Sequence, residues 1–437
     1  MTLSEVERDL TLYCLYRPEV IANPWPYYER LRAAAPVYFD PYLKSWLVSS
    51  HRVVTQVLTD RRFSTSMDHE ALLRRLGADD GRLRRAATLL DRHVSFVDPP
   101  AHTRIRVPFA APFQPRRIVP LEARVRELTA THLDQLWTAE EPDAVRDLAS
   151  PVPMRVVQYM LGAEHIDLAA YRRWSTAWGD VVGSPGHIPT GDRHHVLQAV
   201  DELIEHLQEL IASHRPETRR DTVTAALLRA VDAGQLSEEE LLANLMMLTT
   251  AGAETTTNLI SNAVLALMED PELWERLRAD RSLLPAAVEE FARVNPPTQY
   301  TARIALQDME IGDHAIRRGQ SVILMLAAAN RDPDEYANPH AVRLDRPNAR
   351  RHLAFGTGPH FCFGAPLARL ETRLVLDGLL SGPRPQPARP IRWRLNGNLR
   401  GLQSLPLRWA SPDRWASPDR WASPDRRASP DRRREHQ

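Results

Sequence analysis

The stretch that most restricts the fold is residues 237–269. Ser237-Glu-Glu-Glu240 has the form of a capping box, in which a Ser hydroxyl and a Glu three residues on satisfy the free N–H groups of a helix start. Behind it the chain is apolar on nearly every side until Asp270-Pro271, where a new helix can begin. About 33 residues at ~1.5 Å per residue make a rod of ~50 Å, long enough to cross a whole domain. A helix that is apolar all round lies inside a large protein. The 437-residue chain is therefore expected to be mainly α with small β-sheets, a single large helical domain crossed by a long central helix. Asn244, Glu254, several threonines and Asn262 interrupt the apolar run, so it is no membrane span.

The remaining pattern agrees with that frame. Alternating apolar residues predict short strands only near 36–49, 301–312, 321–326 and 391–407. Ser50 is placed to cap a helix over 51–58. Leu121, Val125, Leu128, Leu133 and Leu136 give 121–138 a helical period. Several helices are expected over 151–211, one over 286–293 with Pro285 near its start, and one over 365–380. From Trp409 the hexamer Trp-Ala-Ser-Pro-Asp-Arg repeats at 415, 421 and, with Arg in place of Trp, 427. Proline every six residues excludes a helix, and the repeats carry too little apolar surface to pack. Residues 1–408 are thus expected to form the domain and 409–437 a disordered tail.

Charge excludes some functions. There are 56 basic and 56 acidic side chains, so no global field favours nucleic acid or an anionic membrane. Cys14 and Cys362 are too few for a disulfide framework, and a reducing cytoplasm is the expected compartment. The first ten residues lack the basic and apolar regions of a signal peptide.

Two stretches break local rules. In the middle of the long helix stands Ala251-Gly252-Ala253-Glu254-Thr255-Thr256-Thr257. Glycine and threonine weaken a helix, and a core carboxylate costs more. Such conflicts tend to mark functional sites, although a plain kink with solvated hydroxyls would read the same. The second stretch is Phe355-Gly-Thr-Gly-Pro-His-Phe-Cys-Phe-Gly364. Its glycines call for tight turns, and Cys362 sits just before a helix N-terminus, where free N–H groups favour a thiolate. On its own, that cysteine could be a nucleophile, a redox sensor, a metal ligand or a buried structural residue. Two further pairs share helix faces: His102 with Arg106, and Glu290 with Arg293. His beside Arg is repulsive unless an anion lies between them.

The decapeptide, of the form Phe-Gly-x-Gly-x-His-x-Cys-x-Gly, resembles the haem-binding loop of the cytochromes P450. The other segments are similar to that family in order and spacing from about Asn23 to Trp409. The resemblance implies the cytochrome P450 fold and haem b (iron protoporphyrin IX), with Cys362 as the iron ligand. His102, Arg106, Arg303 and His360 would hold the haem propionates, and Phe355, Gly364 and Ala251 would lie against the ring. Glu254 and Thr255 correspond to the catalytic acid and hydroxyl that deliver protons to dioxygen. Glu290 and Arg293 correspond to a structural pair, with Arg346 as third partner and Arg343 as the competitor.

The resemblance further implies a monooxygenase that uses O2 to hydroxylate or epoxidise a small organic substrate, such as a natural-product intermediate. Electrons would come from a ferredoxin or flavodoxin and its NAD(P)H reductase, docking near Arg104, Arg116, Arg117 and Arg369. Oxidative coupling without oxygen insertion is the alternative reading, and a non-enzymatic haem sensor the remote one. The substrate pocket is expected from 63–97, 171–195, Met247, Thr250, Ala251, Pro297 to Gln299 and the turn near Gln403. Only the stretch 381–394, rich in Pro and Arg, departs from the family pattern.

Overall fold

The computed structural model describes residues 9–66, 69, 81–183, 191–215, 222–388 and 390–409. Parts of the 61–97 stretch, the loop over 184–190 and residues 410–437 of the repeats lie outside the described residues. Trp409, the first residue of the repeats, ends the strand Leu407–Trp409, where it pairs with Pro385.

The capping box forms as read. Ser237 Oγ accepts the Glu240 amide at 3.1 Å, and Glu240 Oε2 accepts the Ser237 amide at 2.9 Å. The helix it starts is not continuous, however. It runs Glu238–Ala251, breaks at Gly252-Ala253 and resumes as Glu254–Glu269. The Ala253 amide bonds back only three residues, to Thr250 O at 3.2 Å. The locally unfavourable residues singled out in the sequence are thus the ones at which the helix opens. Asp270 then caps the next helix, Pro271–Ala279, through the Leu273 amide at 2.9 Å.

Other helices wrap this axis, among them Leu121–Thr138, Pro151–Leu161, Leu168–Gly183, Leu284–Val294 and Ala365–Leu379. Their apolar faces bury two large clusters, one around Trp178, Leu245 and Met246 and the other around Trp274, Val264 and Leu376. Ser50 does not cap the helix His51–Thr59. The His51 amide is taken instead by Asp332 Oδ2 at 2.8 Å, from a distant loop.

The main sheet has five short strands in the order Val37–Asp40, Ser45–Val48, Ser321–Leu324, Thr301–Ala305 and Phe63–Ser64. Trp46 pairs with Val322 in the one parallel ladder, and Arg303 sits opposite Val322 in the next. The sheet thereby carries Arg303 to the inner edge of the helical body. The stretch 381–394, which lacks an apolar pattern, is a strand region. Pro385–Pro387 pairs with Leu407–Trp409, and Arg392–Trp393 with Leu402–Ser404.

Candidate active site

The cysteine loop is shaped by glycines that no other residue could replace cheaply. Gly356 and Gly358 have φ of +66° and +73°, values that favour glycine. A Cβ on Gly358 would also stand 2.8 Å from the Leu58 carbonyl oxygen. The Cys362 amide donates to Phe355 O at 2.9 Å and closes the loop. Cys362 opens onto a cavity of about 340 Å³. Burial pushes its thiol up, while the amides of Gly364 and Ala365 and the charges of Arg106 and Arg369 pull the other way. The helix-start donors expected to favour a thiolate are in place, and desolvation outweighs them. A metal bound to sulfur would settle the balance for the thiolate, because coordination deprotonates a thiol.

The cavity lies between this loop and the opened helix. Met247, Leu248, Ala251, Gly252 and Thr255 form one wall, with Pro297, Thr298, Thr301 and Leu326 beside it. Gly252 is needed for a neighbour: a Cβ there would meet Val157 Cγ2 at 2.7 Å. Of the expected pocket residues, Val94, Ser95, Met247, Ala251, Pro297 and Thr298 line it. Thr250 turns away and donates to Ser175 O at 3.1 Å, and Gln299 accepts from Tyr28 at 2.8 Å. Neither these two, nor Gln403, nor any described residue of 171–195 reaches the cavity wall.

Arg106, Arg303 and His360 line the cavity, and the His102 ring packs at a tilt against His360 with centroids 4.0 Å apart. Among the described residues none of the four makes an ion pair with a carboxylate. His102 Nε2 is buried without a partner. Burial, then His102, Arg303 and Arg106, push His360 down to about 3, and burial pushes Arg303 down to about 10. Crowded donors without an anion, on the rim of an apolar cavity floored by a cysteine, fit a flat apolar group carrying carboxylates and a thiophilic metal. Haem is such a group.

Thr255 lines the cavity, and its hydroxyl donates to Ala251 O at 2.6 Å across the break. Glu254 points the other way and is buried. It accepts from Thr176 Oγ1 at 2.8 Å and from Arg394 Nη1 at 2.7 Å. Arg394 also reaches Asp180 at 3.5 Å. Burial raises the Asp180 carboxyl, with Arg394 opposing and Glu254 adding to the rise. Arg394 comes from the stretch that departs from the family pattern, and no motif pairs it with Glu254.

Beneath the loop two adjacent carboxylates do different work. Glu290 is wholly buried. It takes Arg293 at 2.7 and 2.9 Å and Arg346 Nε at 3.0 Å. Arg343 contributes only its amide, at 2.9 Å, and its side chain goes to Asp345. Arg346 is therefore the third partner. Glu289, which the motif reading passed over, holds His352 and Arg369. Burial alone would raise the Glu289 carboxyl, but the hydrogen bonds of His352 and Arg369 overcome it and hold it at about 2. A carboxyl depressed on folding stabilises the fold above its unfolded value, near 4.5, and loses that stabilisation as pH falls toward 2. Acid unfolding is expected to steepen below about pH 4.5, and Glu289→Gln to flatten that limb in a pH series of thermal melts.

Two residues expected at a partner surface are otherwise engaged. Arg104 donates to Glu240 and to Gln235 O, each at 2.8 Å, and Arg369 is taken by Glu289. Arg116 and Arg117 are exposed.

This combination, a large helical body with a cysteine loop under an opened helix and donors ringing the cavity, defines a protein of the haem-thiolate class. A family model for cytochrome P450 matches residues 177–382. The chain is 34% identical over 400 residues to the cytochrome P450 monooxygenase PikC of Streptomyces venezuelae, covering 89% of this chain and 91% of that one. It is 36% identical over 372 residues to cytochrome P450 107B1 of Saccharopolyspora erythraea, covering 84% and 89%. The solved structure of the polyketide synthase cytochrome P450 PksS of Bacillus subtilis superposes with a TM-score of 0.80 at 30% identity, over 90% of this chain and 99% of that one. The chain belongs to the cytochrome P450 family. It is an oxidoreductase of the monooxygenase kind, with the haem-thiolate cofactor of that family. No described helix is long and apolar enough to cross a membrane.

Proposed function

We propose that the chain binds haem b through Cys362 and oxygenates a medium-sized, mainly apolar natural-product intermediate with O2. The observation that carries this reading is that Cys362 and Thr255 line one apolar cavity. PikC, a monooxygenase, and PksS, of polyketide biosynthesis, support the substrate class. Thiolate-held haem supplies the oxidising chemistry: substrate C–H, O2, two electrons and two protons become C–OH and water, with the thiolate favouring O–O cleavage.

The chain's own residues hold the cofactor and move the protons. Arg106, Arg303, His102 and His360 would hold the propionates, giving His102 Nε2 the partner it lacks. Phe355, Gly364 and Ala251 would adjoin the bound group. Thr255 releases Ala251 O and turns its hydroxyl into the cavity. Glu254, buried behind the break against Thr176 and Arg394, would relay protons toward it. The electron donor is a separate ferredoxin with its reductase, or a flavodoxin, docking near Arg104, Arg116, Arg117 and Arg369. With haem added, the reduced protein under CO is expected to show the red-shifted Soret band of thiolate ligation. Thr255→Ala is expected to lower product per NADPH roughly tenfold or more and to release peroxide instead. Unchanged coupling with no extra peroxide would sink the proton-delivery assignment.

A further inference from the structure

Phe355 is tied to Cys362 through its backbone, and its ring is gripped from two sides. The Arg369 guanidinium carbon lies 4.5 Å from the ring centroid, and the His352 ring lies 5.6 Å away. One carboxylate anchors both. Glu289, its side chain only 7% exposed, accepts Arg369 Nε at 2.8 Å and Nη2 at 3.1 Å, and His352 Nε2 at 3.0 Å. His352 Nδ1 accepts the Ala354 amide at 3.2 Å. The histidine proton therefore sits on Nε2 and the ring is neutral. The charges inside the cluster are one minus on Glu289 and one plus on Arg369. Arg350 adds a plus from the exposed side, 3.8 Å from Glu289.

Resting on the reading of Cys362 as the iron ligand, we infer that Glu289 is a positioning residue that sets the reduction potential of the bound haem, by pinning Arg369 on Phe355 and cancelling its charge beside the thiolate. Arg369 lies on the ring of Phe355, whose carbonyl oxygen accepts the Cys362 amide, and its charge and that of Arg106 pull the thiol down. Half-buried charges are poorly screened, so a change of one unit beside the sulfur is felt there. Reduction adds an electron to the iron. A net plus nearby favours it, and a net minus opposes it. Glu289→Gln keeps the shape and one acceptor for Arg369 but removes the minus. Arg369→Gln removes the plus and leaves Glu289 beside the loop. A residue that merely held the loop in shape would not give opposite signs for these two changes.

The test is a spectroelectrochemical titration of the haem-loaded wild type, Glu289→Gln, Arg369→Gln and the double variant, each first checked for the thiolate Soret band under CO. The midpoint is expected to move positive in Glu289→Gln, negative in Arg369→Gln, and back toward wild type in the double variant. Should Glu289→Gln not fold, Arg369→Lys carries the comparison. It keeps the charge and loses the two-toothed bond, so its midpoint is expected closer to wild type than that of Arg369→Gln. Unmoved midpoints, or shifts of the same sign, with the Soret band intact overturn the role of Glu289 and leave the ligand assignment standing. A wild type without the thiolate band overturns both.

Discussion

Glu290→Ala is expected to cost about 3–5 kcal/mol of folding stability, the loss typical when one member of a buried ionic network is removed. Glu290 and Arg293 are both fully buried, and Arg346 is nearly so. Deleting the carboxylate leaves two guanidinium groups in the interior with no counter-charge, only the Tyr336 ring and carbonyl oxygens: those of Asn330, Pro339 and Ala341 for Arg293, and of Ala337, Asn338 and Ala341 for Arg346. Domains are stable by only about 5–15 kcal/mol, so the variant should fold poorly. Chemical denaturation of wild type and variant measures the difference. Arg343→Ala is the control, because Arg343 meets Glu290 through its amide and its side chain is exposed. A loss under about 1 kcal/mol is expected there, as for a surface ion pair. Equal losses in the two variants would contradict the buried-hub account.

Cys362→Ala is expected to do the reverse, sparing the fold and abolishing the chemistry. The loop conformation comes from Gly356, Gly358 and the backbone bond from residue 362 to Phe355, none of which needs sulfur. The melting temperature should stay close to wild type. The thiolate Soret band under CO should vanish, and turnover should fall to background, because the iron loses its electron-donating ligand. A variant that kept the band would place the ligand elsewhere.

The two predictions mark what the sequence could and could not carry. Short-range patterns were legible: the capping box at Ser237, the strands near 37 and 45, and the helix after the cysteine loop each depend on residues a few places apart. The opening of the central helix was visible as a local conflict at 251–257 but not as a break, because the close approach of Val157 to Gly252 is a tertiary fact. The propionate donors were legible only through family resemblance. No periodicity links residues 102, 303 and 360, which the helix Ala101–Ala110, the sheet and the cysteine loop bring to one rim. Arg394 and Glu289 escaped for the same reason. One lies in a stretch without an apolar pattern, and the other stands beside a better-known motif. The ion pairs of Arg104 with Glu240 and of Arg369 with Glu289 were likewise not legible, since a sequence shows charge without showing its partner.

The segment around residues 399–407 has a consequence for the order in which the molecule can be made. A Cβ on Gly401 would collide with the Asn258 side chain, so this segment is pressed against the second half of the central helix. Asn262 donates to Arg400 O, the Ala144 amide to Leu405 O, and the Arg400 side chain to Ile21 O and Ala22 O. Elements from the start, middle and late part of the chain thus meet at this one strand. A ribosome releases them in sequence, and contacts between distant residues form slowly. The central helix keeps part of its surface uncovered until residues 399–407 have emerged, and the growing chain is the stage at which a chaperone would find it.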